Sequence, residues 1–466
     1  MKLNAFHLPA LSKPPVTSWS YAGQEGVELR VAQITPDLLT RQIDALLAAR
    51  AAHLSQRPVL DIVRVIGGVA ERFLDPDDEL RHNAVTAVAR VTGLAIPMAE
   101  RIIGGMASDW REEALTRMLE REFADPRVLD GYVRRTAGGV RSHAIGPSLT
   151  FHVFSGNVPG VSVTSLIRSL LVKSATLGKS AAGEPILPAL FAQAIADVDP
   201  ELGACVAVTY WSGGDEALEA CALGRAGAVV AYGGRAAVAS LRERTPDGVP
   251  FLAYGHRVSF GMIAREALTS ERALDLAGQA ALAVATFDQQ GCVSPHLFYV
   301  EEGGQVSAGE WAEMLAAGME RLEKHLPRGT LAPGESVAIR QARSHAEFEG
   351  LAGRGHRLLA STAGTAWTVI VEPDPAFAAS CLNRLVRVKP VGSLESVLPH
   401  IAPLSGVLQT VGLEGPEART TELAIALGRL GASRISSFER MPWPPADWNH
   451  DGRPPISDLV RWCDWE

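Results

Sequence analysis

The sequence lacks the cysteine pairs that would close a disulfide framework or form a zinc site. Its five cysteines are odd in number, far apart and without any C-x-x-C pair. It also has no long basic run, and its formal net charge of −8 is spread along the chain, so nucleic acid is not an expected partner. The cysteine usage favours a reducing compartment, and we expect a cytoplasmic protein.

Long apolar runs are absent too. No stretch reaches membrane-spanning length without a charge, proline or glycine, and residues 1–15 lack the apolar core of a signal peptide. We therefore expect no integral membrane contact. What is present is a composition rich in Ala, Gly, Leu and Val, with 47% hydrophobic residues over a length of 466. These values are typical of a globular α/β protein of about two domains.

Two common nucleotide-binding motifs are missing. No G-x-G-x-x-G occurs, which excludes the ordinary Rossmann fingerprint. Gly178-Lys179-Ser180 resembles the end of a P-loop, but Lys173 occupies the position where that loop needs a glycine. Lys179 is then either a surface lysine or a cation for a ribose or phosphate, and the local pattern leaves both open. The histidines show no metal-ligand spacing, so we predict no metal site.

Helical spacing of apolar residues runs from residue 35 to about 126, and Thr35-Pro36 and Asp75-Pro76 each predict a helix start. From Leu149 strands and helices alternate at a short pitch, which indicates βαβ units around a parallel sheet. Glycines follow the predicted strands, where backbone N–H groups can approach a phosphate. These glycines are Gly156, Gly160, Gly213, Gly214, Gly233 and Gly234.

A lone cysteine, Cys292, lies where an alanine-rich helical stretch gives way to a β-rich run. Gly291 and Pro295 are breakers, so the connection is a tight one. A thiolate there can attack a carbonyl while its own amide receives the oxyanion. The alternative is a small buried hydrophobe, which is the commoner use of a lone cysteine. The local pattern alone favours that alternative.

Asn157 and His296 also have two interpretations each. Asn157 follows a predicted strand and is either a turn residue that bonds its own backbone or a side-chain donor to an oxyanion. His296 lies four residues from Cys292. A Cys/His hydrolase pair is left open but is not favoured, because Pro295 and the following strand direct the ring elsewhere.

Taken together, four segments resemble the LuxC-type acyl-CoA reductases, a divergent branch of the aldehyde dehydrogenase superfamily. They are the runs 156–160, 173–179, 210–216 and 288–295. The resemblance implies an aldehyde-dehydrogenase-like α/β fold, with a Rossmann-type cofactor domain, an α/β catalytic domain and an N-terminal helical layer. The expected bounds are 1–148 for the helical region, 149–254 for the NADP-binding domain, 255–433 for the catalytic domain and 434–466 for a C-terminal tail.

The resemblance also implies roles for single residues. Cys292 matches the acyl-accepting thiol, and Asn157 matches the oxyanion-hole asparagine. Lys179, with Ser180 beside it, falls where the superfamily contacts the adenosine ribose. Gly233 and Gly234 match the glycine turn near the pyrophosphate, and Gly213 and Gly214 lie on the preceding strand-to-helix turn.

Two departures from the superfamily pattern refine the expected chemistry. Ala253 stands where aldehyde dehydrogenases carry a glutamate base, so water should be activated poorly against an acyl-enzyme. The acid that would bond a ribose 2′-hydroxyl should fall near Ala182, where there is none. With Lys179 nearby, NADPH is expected rather than NADH. Glu184 is close enough to leave this choice open.

We therefore predict NADPH-dependent reduction of a long-chain fatty acyl-CoA or acyl-protein thioester to the aldehyde, through an acyl-cysteine on Cys292. The alternatives are a CoA-acylating aldehyde dehydrogenase acting on shorter aldehydes, a non-redox cysteine-dependent acyltransferase or hydrolase, and an idle scaffold. The acyl donor, which could be a partner synthetase or transferase, is left open, as is the pathway, whether luminescence or other lipid metabolism. Superfamily resemblance implies a homo-oligomer.

Overall fold

The computed structural model describes residues 1–21, 26–134 and 139–466. Residues 22–25 and 135–138, both within the predicted helical region 1–148, lie outside the described residues. Backbone contacts divide the chain into two compact units. Unit 1 comprises Met1–Thr92, Ala99–Gly255 and Pro445–Glu466, and unit 2 comprises Gly93–Met98 and His256–Pro444.

The first part of the chain has short strands followed by helices. They are β1 (Lys2–Asn4), β2 (Val16–Tyr21), β3 (Val27–Ala32), α1 (Pro36–Ala49), α2 (Val59–Leu74), α3 (Glu79–Thr92), α4 (Ile96–Ser108), α5 (Glu112–Phe123) and β4 (Val133–Arg134).

The helix starts in this part follow the capping residues. α1 begins after Thr35 as predicted, and Thr35 Oγ1 accepts a hydrogen bond from Leu38 N at 3.4 Å. The start predicted at Asp75-Pro76 is wrong by about one turn. Pro76 lies in a turn, and Asp78 Oδ1 accepts from Leu80 N at 2.7 Å as α3 begins. Both Asp75 and Asp78 could cap the first turn of this helix. The hydrogen bond from Leu80 N to Asp78 shows that the helix uses the later cap.

The α/β part of unit 1 alternates strand and helix. Its elements are β5 (Arg141–Ile145), β6 (Leu149–Val153), α6 (Val161–Leu171), β7 (Ala175–Ser180), α7 (Leu187–Val198), α8 (Pro200–Gly203), β8 (Val206–Tyr210), α9 (Glu216–Leu223), β9 (Ala228–Tyr232), α10 (Arg235–Arg244) and β10 (Phe251–Tyr254).

The main sheet of unit 1 is entirely parallel, with strand order β10-β9-β6-β7-β8. Residues of β7 and β9 are buried throughout, as expected for parallel strands covered by helices on both faces. Because all five strands run in the same direction, the loops that follow them meet at one edge. The sheet reverses its order of connection between β6 and β9, which is where open α/β sheets place their ligands.

Unit 2 continues with β11 (Val258–Ile263), α11 (Ala273–Ala285), β12 (Pro295–Glu301), α12 (Ala308–His325), α13 (Pro333–Leu351), β13 (Arg357–Ala360), β14 (Thr368–Val371), β15 (Leu385–Val391), α14 (Leu398–Ile401), β16 (Leu408–Glu414), α15 (Glu417–Arg429) and β17 (Arg434–Ser436). The C-terminal strand β18 (Arg461–Trp465) belongs to unit 1.

The sheet of unit 2 has the order β13-β14-β15-β12-β11-β16-β17, and only the β13–β14 pair is antiparallel. Two glycines face each other in its middle, Gly261 on β11 and Gly412 on β16. A Cβ on Gly261 would lie 2.2 Å from Phe298 Cδ1, and one on Gly412 would lie 2.7 Å from Phe438 Cδ1. The glycine pair therefore makes room for aromatic rings on the sheet.

Two smaller sheets complete the described residues, β1-β3-β2 and an antiparallel sheet, β18-β5-β4, which joins the end of the chain to unit 1. The predicted C-terminal tail, 434–466, thus ends in a strand. Among the described residues, no helix is long and apolar enough to cross a membrane.

The Gly261→Ala substitution should destabilise the protein by about 1–3 kcal/mol, because the added methyl group overpacks a buried sheet. Gly278→Ala is the matched control, since a Cβ on this α11 residue would meet no atom within 4 Å. In a helix the change from glycine to alanine is neutral or stabilising. Denaturant unfolding of both variants measures the difference, and equal stabilities would contradict the packing described.

Candidate active site

Asn157 lies on the loop between β6 and α6, at the carboxyl edge of the unit 1 sheet. Two glycines shape this loop. A Cβ on Gly156 would lie 3.0 Å from Glu184 N, and one on Gly160, whose φ is +96°, would lie 2.5 Å from Met106 Cγ. The close backbone approach and the positive φ both require glycine. Asn157 itself is exposed, so its side chain is presented on a loop whose flanks are fixed.

Lys179 and Ser180 end β7. Lys179 is 8% exposed, and its Nζ lies 5.7 Å from the ring centroid of Trp211. Burial lowers the pKa of the Lys179 ammonium, an effect that the charge of Glu219 partly offsets. Within the described residues Ser180 Oγ, Thr209 Oγ1 and Trp211 Nε1 are buried polar atoms without a hydrogen-bond partner. Such atoms are normally satisfied by water, an ion or a ligand, so this end of β7 fits a ribose and its phosphates.

The four candidate glycines lie on the neighbouring turns. Gly213 and Gly214 connect β8 to α9, and Gly233 and Gly234 connect β9 to α10. A Cβ on Gly213, Gly214 or Gly234 would meet no atom within 4 Å, so the backbone is open to a ligand there. α10 begins at Arg235 without a side-chain cap, which leaves its first N–H groups for an anion. These turns fit a pyrophosphate.

Glu184, the acid nearest to Ala182, stabilises the start of α7. Its Oε1 accepts hydrogen bonds from Ile186 N at 3.0 Å and Leu187 N at 2.7 Å. The side chain is 3% exposed, and burial raises the pKa of this carboxyl to about 7, against the effect of the two N–H donors. The carboxylate thus serves a helix start, and Ala182 supplies none.

Aromatic rings surround the end of β10, where Ala253 replaces the expected glutamate base. Tyr254 packs against both Tyr232 and His450, with centroid distances of 4.7 and 4.5 Å. His450 in turn stacks on Trp448 at 4.8 Å. The C-terminal tail therefore contributes two rings to a cluster of four aromatic rings in unit 1. The side chain that β10 carries here, Ala253, is a methyl group and cannot activate water.

Cys292 lies on the turn between α11 and β12, in unit 2, and is half-buried. We call residues 287–294 the cysteine turn. Phe287, Asp288 and Gln289 have φ values of 59°, 48° and 67°. Positive φ is uncommon for residues other than glycine, and three in succession form a strained entry to the turn. Strain of this kind is concentrated at functional sites.

The rest of the cysteine turn is tightly closed. A Cβ on Gly291 would lie 3.1 Å from both Phe287 Cδ2 and Ser294 Oγ. Ser294 N donates to Gly291 O at 3.0 Å, and Ser259 Oγ donates to Cys292 O at 2.7 Å. The thiol is therefore carried by a backbone that is fixed on both sides. This is the arrangement that an acyl-accepting nucleophile needs.

Other thiols and the nearby histidine are less suited to the chemistry. Burial raises the pKa of the Cys205 thiol to about 12 and also raises the pKa of Cys381. His296 Nδ1 accepts a hydrogen bond from Ser380 N at 3.0 Å. Burial, reinforced by the charge of His256, lowers the pKa of His296 to about 4. Its ring is thus a neutral acceptor for the backbone.

The structure places Asn157 and the six cofactor candidates along one edge of unit 1, whereas Cys292 belongs to unit 2. Sequence reasoning missed two supports of the cysteine turn, Ser259 and Arg384. Neither has a local signal. Ser259 is a single hydroxyl in the otherwise apolar strand β11, and Arg384 is one of several polar residues at the entry to β15, next to Asn383. Only the folded backbone brings them to the turn.

Solved structures with a similar fold show the fold class of this chain. Aldehyde dehydrogenase 21 of Physcomitrella patens, in complex with succinate, matches 100% of this chain and 98% of its own with a TM-score of 0.74 and 14% identity. A mutant of aldehyde dehydrogenase C of Pseudomonas syringae, in complex with NAD+ and octanal, matches 99% and 96% with a TM-score of 0.73 and 14% identity. The fold is that of the aldehyde dehydrogenases, which confirms the predicted fold class.

Within this class, the chain belongs to the acyl-CoA reductase (LuxC) family, whose model matches residues 54–462. The long-chain acyl-protein thioester reductase of Aliivibrio fischeri is 24% identical over 416 residues, which are 87% of this chain and 82% of the relative. That of Vibrio harveyi is 23% identical over 427 residues, 89% of this chain and 84% of the relative. Both the resemblance and the predicted enzyme class, an acyl-CoA reductase, are confirmed.

The titration of Glu184 should make stability depend on pH. Because the folded state raises this pKa from 4.5 to about 7, the folded state holds the proton more tightly, and stability falls as pH rises between those values. Glu184→Gln keeps an oxygen acceptor and cannot titrate. We expect its stability relative to the parent to increase from pH 4.5 to 7 and then to level off in denaturant unfolding.

Glu310→Gln is a control for which the pH dependence of stability has the opposite sign. Glu310 caps α12 by accepting from Ser307 N at 2.8 Å, and the hydrogen bonds from Ser307 lower its pKa. Its stabilising effect is present above the unfolded pKa and is lost as pH falls. A Glu184→Gln profile parallel to that of the parent over this range would contradict the account of this carboxyl.

Proposed function

We propose that the protein reduces a long-chain fatty acyl thioester to the fatty aldehyde with NADPH, through an acyl group held on Cys292. The observation that carries the proposal is the cysteine turn, a strained and closed backbone that presents one thiol. Family membership supplies the reaction class, acyl-CoA reduction. The long-chain substrate is taken from the names of the relatives, the acyl-protein thioester reductases.

The first step is acyl transfer to the enzyme. The Cys292 thiolate attacks the carbonyl carbon of the thioester, a C–S bond forms, and the bond to the carrier sulfur breaks so that the carrier leaves as a thiolate. The oxyanion that forms in between requires N–H donors. We assign this role to the backbone amide of Cys292 and, on the strength of the family resemblance, to the side-chain amide of Asn157.

The second step converts the acyl-cysteine to the aldehyde. A bound reduced nicotinamide supplies the hydride. Hydride addition to the acyl carbon leaves a thiohemiacetal oxyanion on Cys292. The C=O bond then re-forms as the carbon–sulfur bond breaks, which releases the aldehyde and returns Cys292 as a thiolate. In unit 1, Lys179 and Ser180 would hold the adenosine ribose and its phosphate. The open turns at Gly213-Gly214 and Gly233-Gly234 would receive the pyrophosphate.

The choice of NADPH rests on the charges around Lys179. Glu219, the acid that acts on its pKa, forms an ion pair with Arg244. Glu184 is engaged by the α7 amides. In the described parts of the chain Lys179 Nζ forms no ion pair with a carboxylate, so its cation is compatible with a 2′-phosphate.

Ala253 bears on the fate of the acyl-cysteine. Without a carboxylate at this position, general-base activation of water against the thioester is weak. The acyl group should then survive until it is reduced. The acyl donor, whether CoA, a carrier protein or a partner synthetase or transferase, and the homo-oligomeric state stay predictions from the resemblance.

Replacement of the nucleophile tests the function. With a long-chain acyl-CoA and NADPH, the parent should form aldehyde and consume NADPH, and Cys292→Ser should lower kcat by a factor on the order of 10³ or more. Cys381→Ser is the matched control and should retain activity. Aldehyde formation by Cys292→Ser at the rate of the parent would contradict the mechanism. Acyl release that needs no nicotinamide would instead favour a non-redox acyltransferase or hydrolase.

The cofactor proposal predicts a selective effect at Lys179. Lys179→Met keeps the aliphatic stem and removes the cation, so the KM for NADPH should rise by about ten- to hundredfold, the value of a hydrogen bond to a charged group. The KM for NADH should change much less. Lys173→Met is the control, since Lys173 is a buried lysine just before β7 that pairs with Asp130 at 2.7 Å. Equal effects on both cofactors would contradict the proposal.

A further inference from the structure

The entry to the cysteine turn needs to be held by its surroundings. Residues in sparsely populated backbone regions cost about 1–3 kcal/mol each, and they persist only where neighbouring groups over-determine them. Phe287, Asp288 and Gln289 form such a run, which is separated from the candidate nucleophile by two residues. The groups that hold this run therefore control where Cys292 lies.

A second left-handed run faces the first. Residues 382–384 have φ values from 56° to 65°. Gln290 Nε2 donates to Asn383 Oδ1 at 3.1 Å, and Gln289 Nε2 donates to Leu385 O at 2.9 Å. The two strained segments are thus bonded to each other by side-chain amides. Neither can relax without breaking these bonds.

Arg384 makes the strongest of these connections. It is 1% exposed, and its Nε and Nη2 lie 2.8 and 2.6 Å from Asp288 Oδ1. Its Nη1 donates to Leu326 O at 2.8 Å and to Glu323 Oε2 at 3.1 Å. Gly329 N donates to Asp288 Oδ2 at 2.9 Å. Both oxygens of the middle left-handed residue are therefore held by donors from two other segments.

Ser259 holds the turn on the other side of the thiol. It is fully buried, and the pairing of β11 with both β12 and β16 shifts register around it. Its Oγ donates to Cys292 O at 2.7 Å and accepts from Thr410 N at 3.1 Å. Bulges next to active sites re-aim side chains. Here the irregular pairing places the Ser259 hydroxyl so that it bonds a carbonyl of the cysteine turn and an amide of β16 at the same time.

We propose that Arg384 and Ser259 are positioning residues for Cys292. Arg384 acts through Asp288, before the nucleophile, and Ser259 acts on the carbonyl of the nucleophile itself. Neither touches the substrate in this account. Because the inference rests on the proposed function, it concerns the rate at which Cys292 accepts the acyl group. Groups that lock a nucleophile contribute through geometry, since small displacements are costly in rate.

The test uses Ser259→Ala and Arg384→Lys in the full-length protein. Alanine removes the donor to Cys292 O. Lysine keeps a positive charge, but its single ammonium cannot replace both the Nε donor to Asp288 and the Nη1 donor to Leu326 O and Glu323. The rate constant of acylation at saturating acyl-CoA, and with it kcat, should fall about ten- to hundredfold. The KM for acyl-CoA and the KM for NADPH should change little, which a general loss of structure would not produce.

The matched controls come from the same sheet. Arg387→Lys changes an arginine that pairs with Glu372 at 2.6 Å, and Ser433→Ala removes a hydroxyl that donates to Gln409 O at 3.2 Å. Both should lower stability by amounts similar to the test variants and leave acylation unchanged. Acylation by Ser259→Ala and Arg384→Lys at the rate of the controls overturns the inference. If Arg384→Lys does not fold, Ser259→Ala decides alone.

Failure of this inference and failure of the proposed function give different results. An inactive Cys292→Ser together with fully active Ser259→Ala and Arg384→Lys removes only the positioning roles. An active Cys292→Ser removes the nucleophile and the positioning roles with it.

Discussion

The backbone before Cys292 is the constraint on which the candidate nucleophile in unit 2 depends. Its three left-handed residues are unfavourable in isolation. They nevertheless lie in the connection from α11 to β12, and this connection forms the tight turn that carries the thiol. The ion pair between Asp288 and Arg384 holds this backbone in a buried setting, and removing Arg384 would leave the Asp288 side chain without this ionic partner. Arg384 also contacts Glu323 of α12 and Leu326 O, so it links the entry to β15 with the end of α12.

Unit 1 depends on a simpler constraint, the common direction of its five parallel strands. Any polar residue that follows one of these strands reaches the same edge, which is why Asn157, Lys179 and the glycine turns lie together. At the same edge Ala253 has only a methyl group, and aromatic rings pack beside it. Under the proposed function, the lack of a carboxylate on this side chain favours retention of the acyl group.

Much of this could be predicted because it is local. The sequence predicts the alternation of strands and helices from Leu149, which the structure has, and the breakers around Cys292 indicate its turn. The short N-terminal strands could not be predicted, because an alternation of polar and apolar residues over only three to six positions is too short to recognise. The supports of the cysteine turn escape prediction for another reason. Arg384 lies 96 residues from Asp288, and Ser259 lies 33 residues from Cys292, so only folding relates them.

The central claim is that Cys292 holds an acyl group for reduction. It is tested most directly by incubating the protein with a long-chain acyl-CoA in the absence of cofactor, followed by intact-mass measurement and peptide mapping. The account predicts one acyl group per chain, on the peptide that contains Cys292. This group should persist in buffer and disappear on addition of NADPH, with release of an equal amount of aldehyde. An acyl group on another residue, or one lost to water as fast without NADPH as with it, would contradict the account.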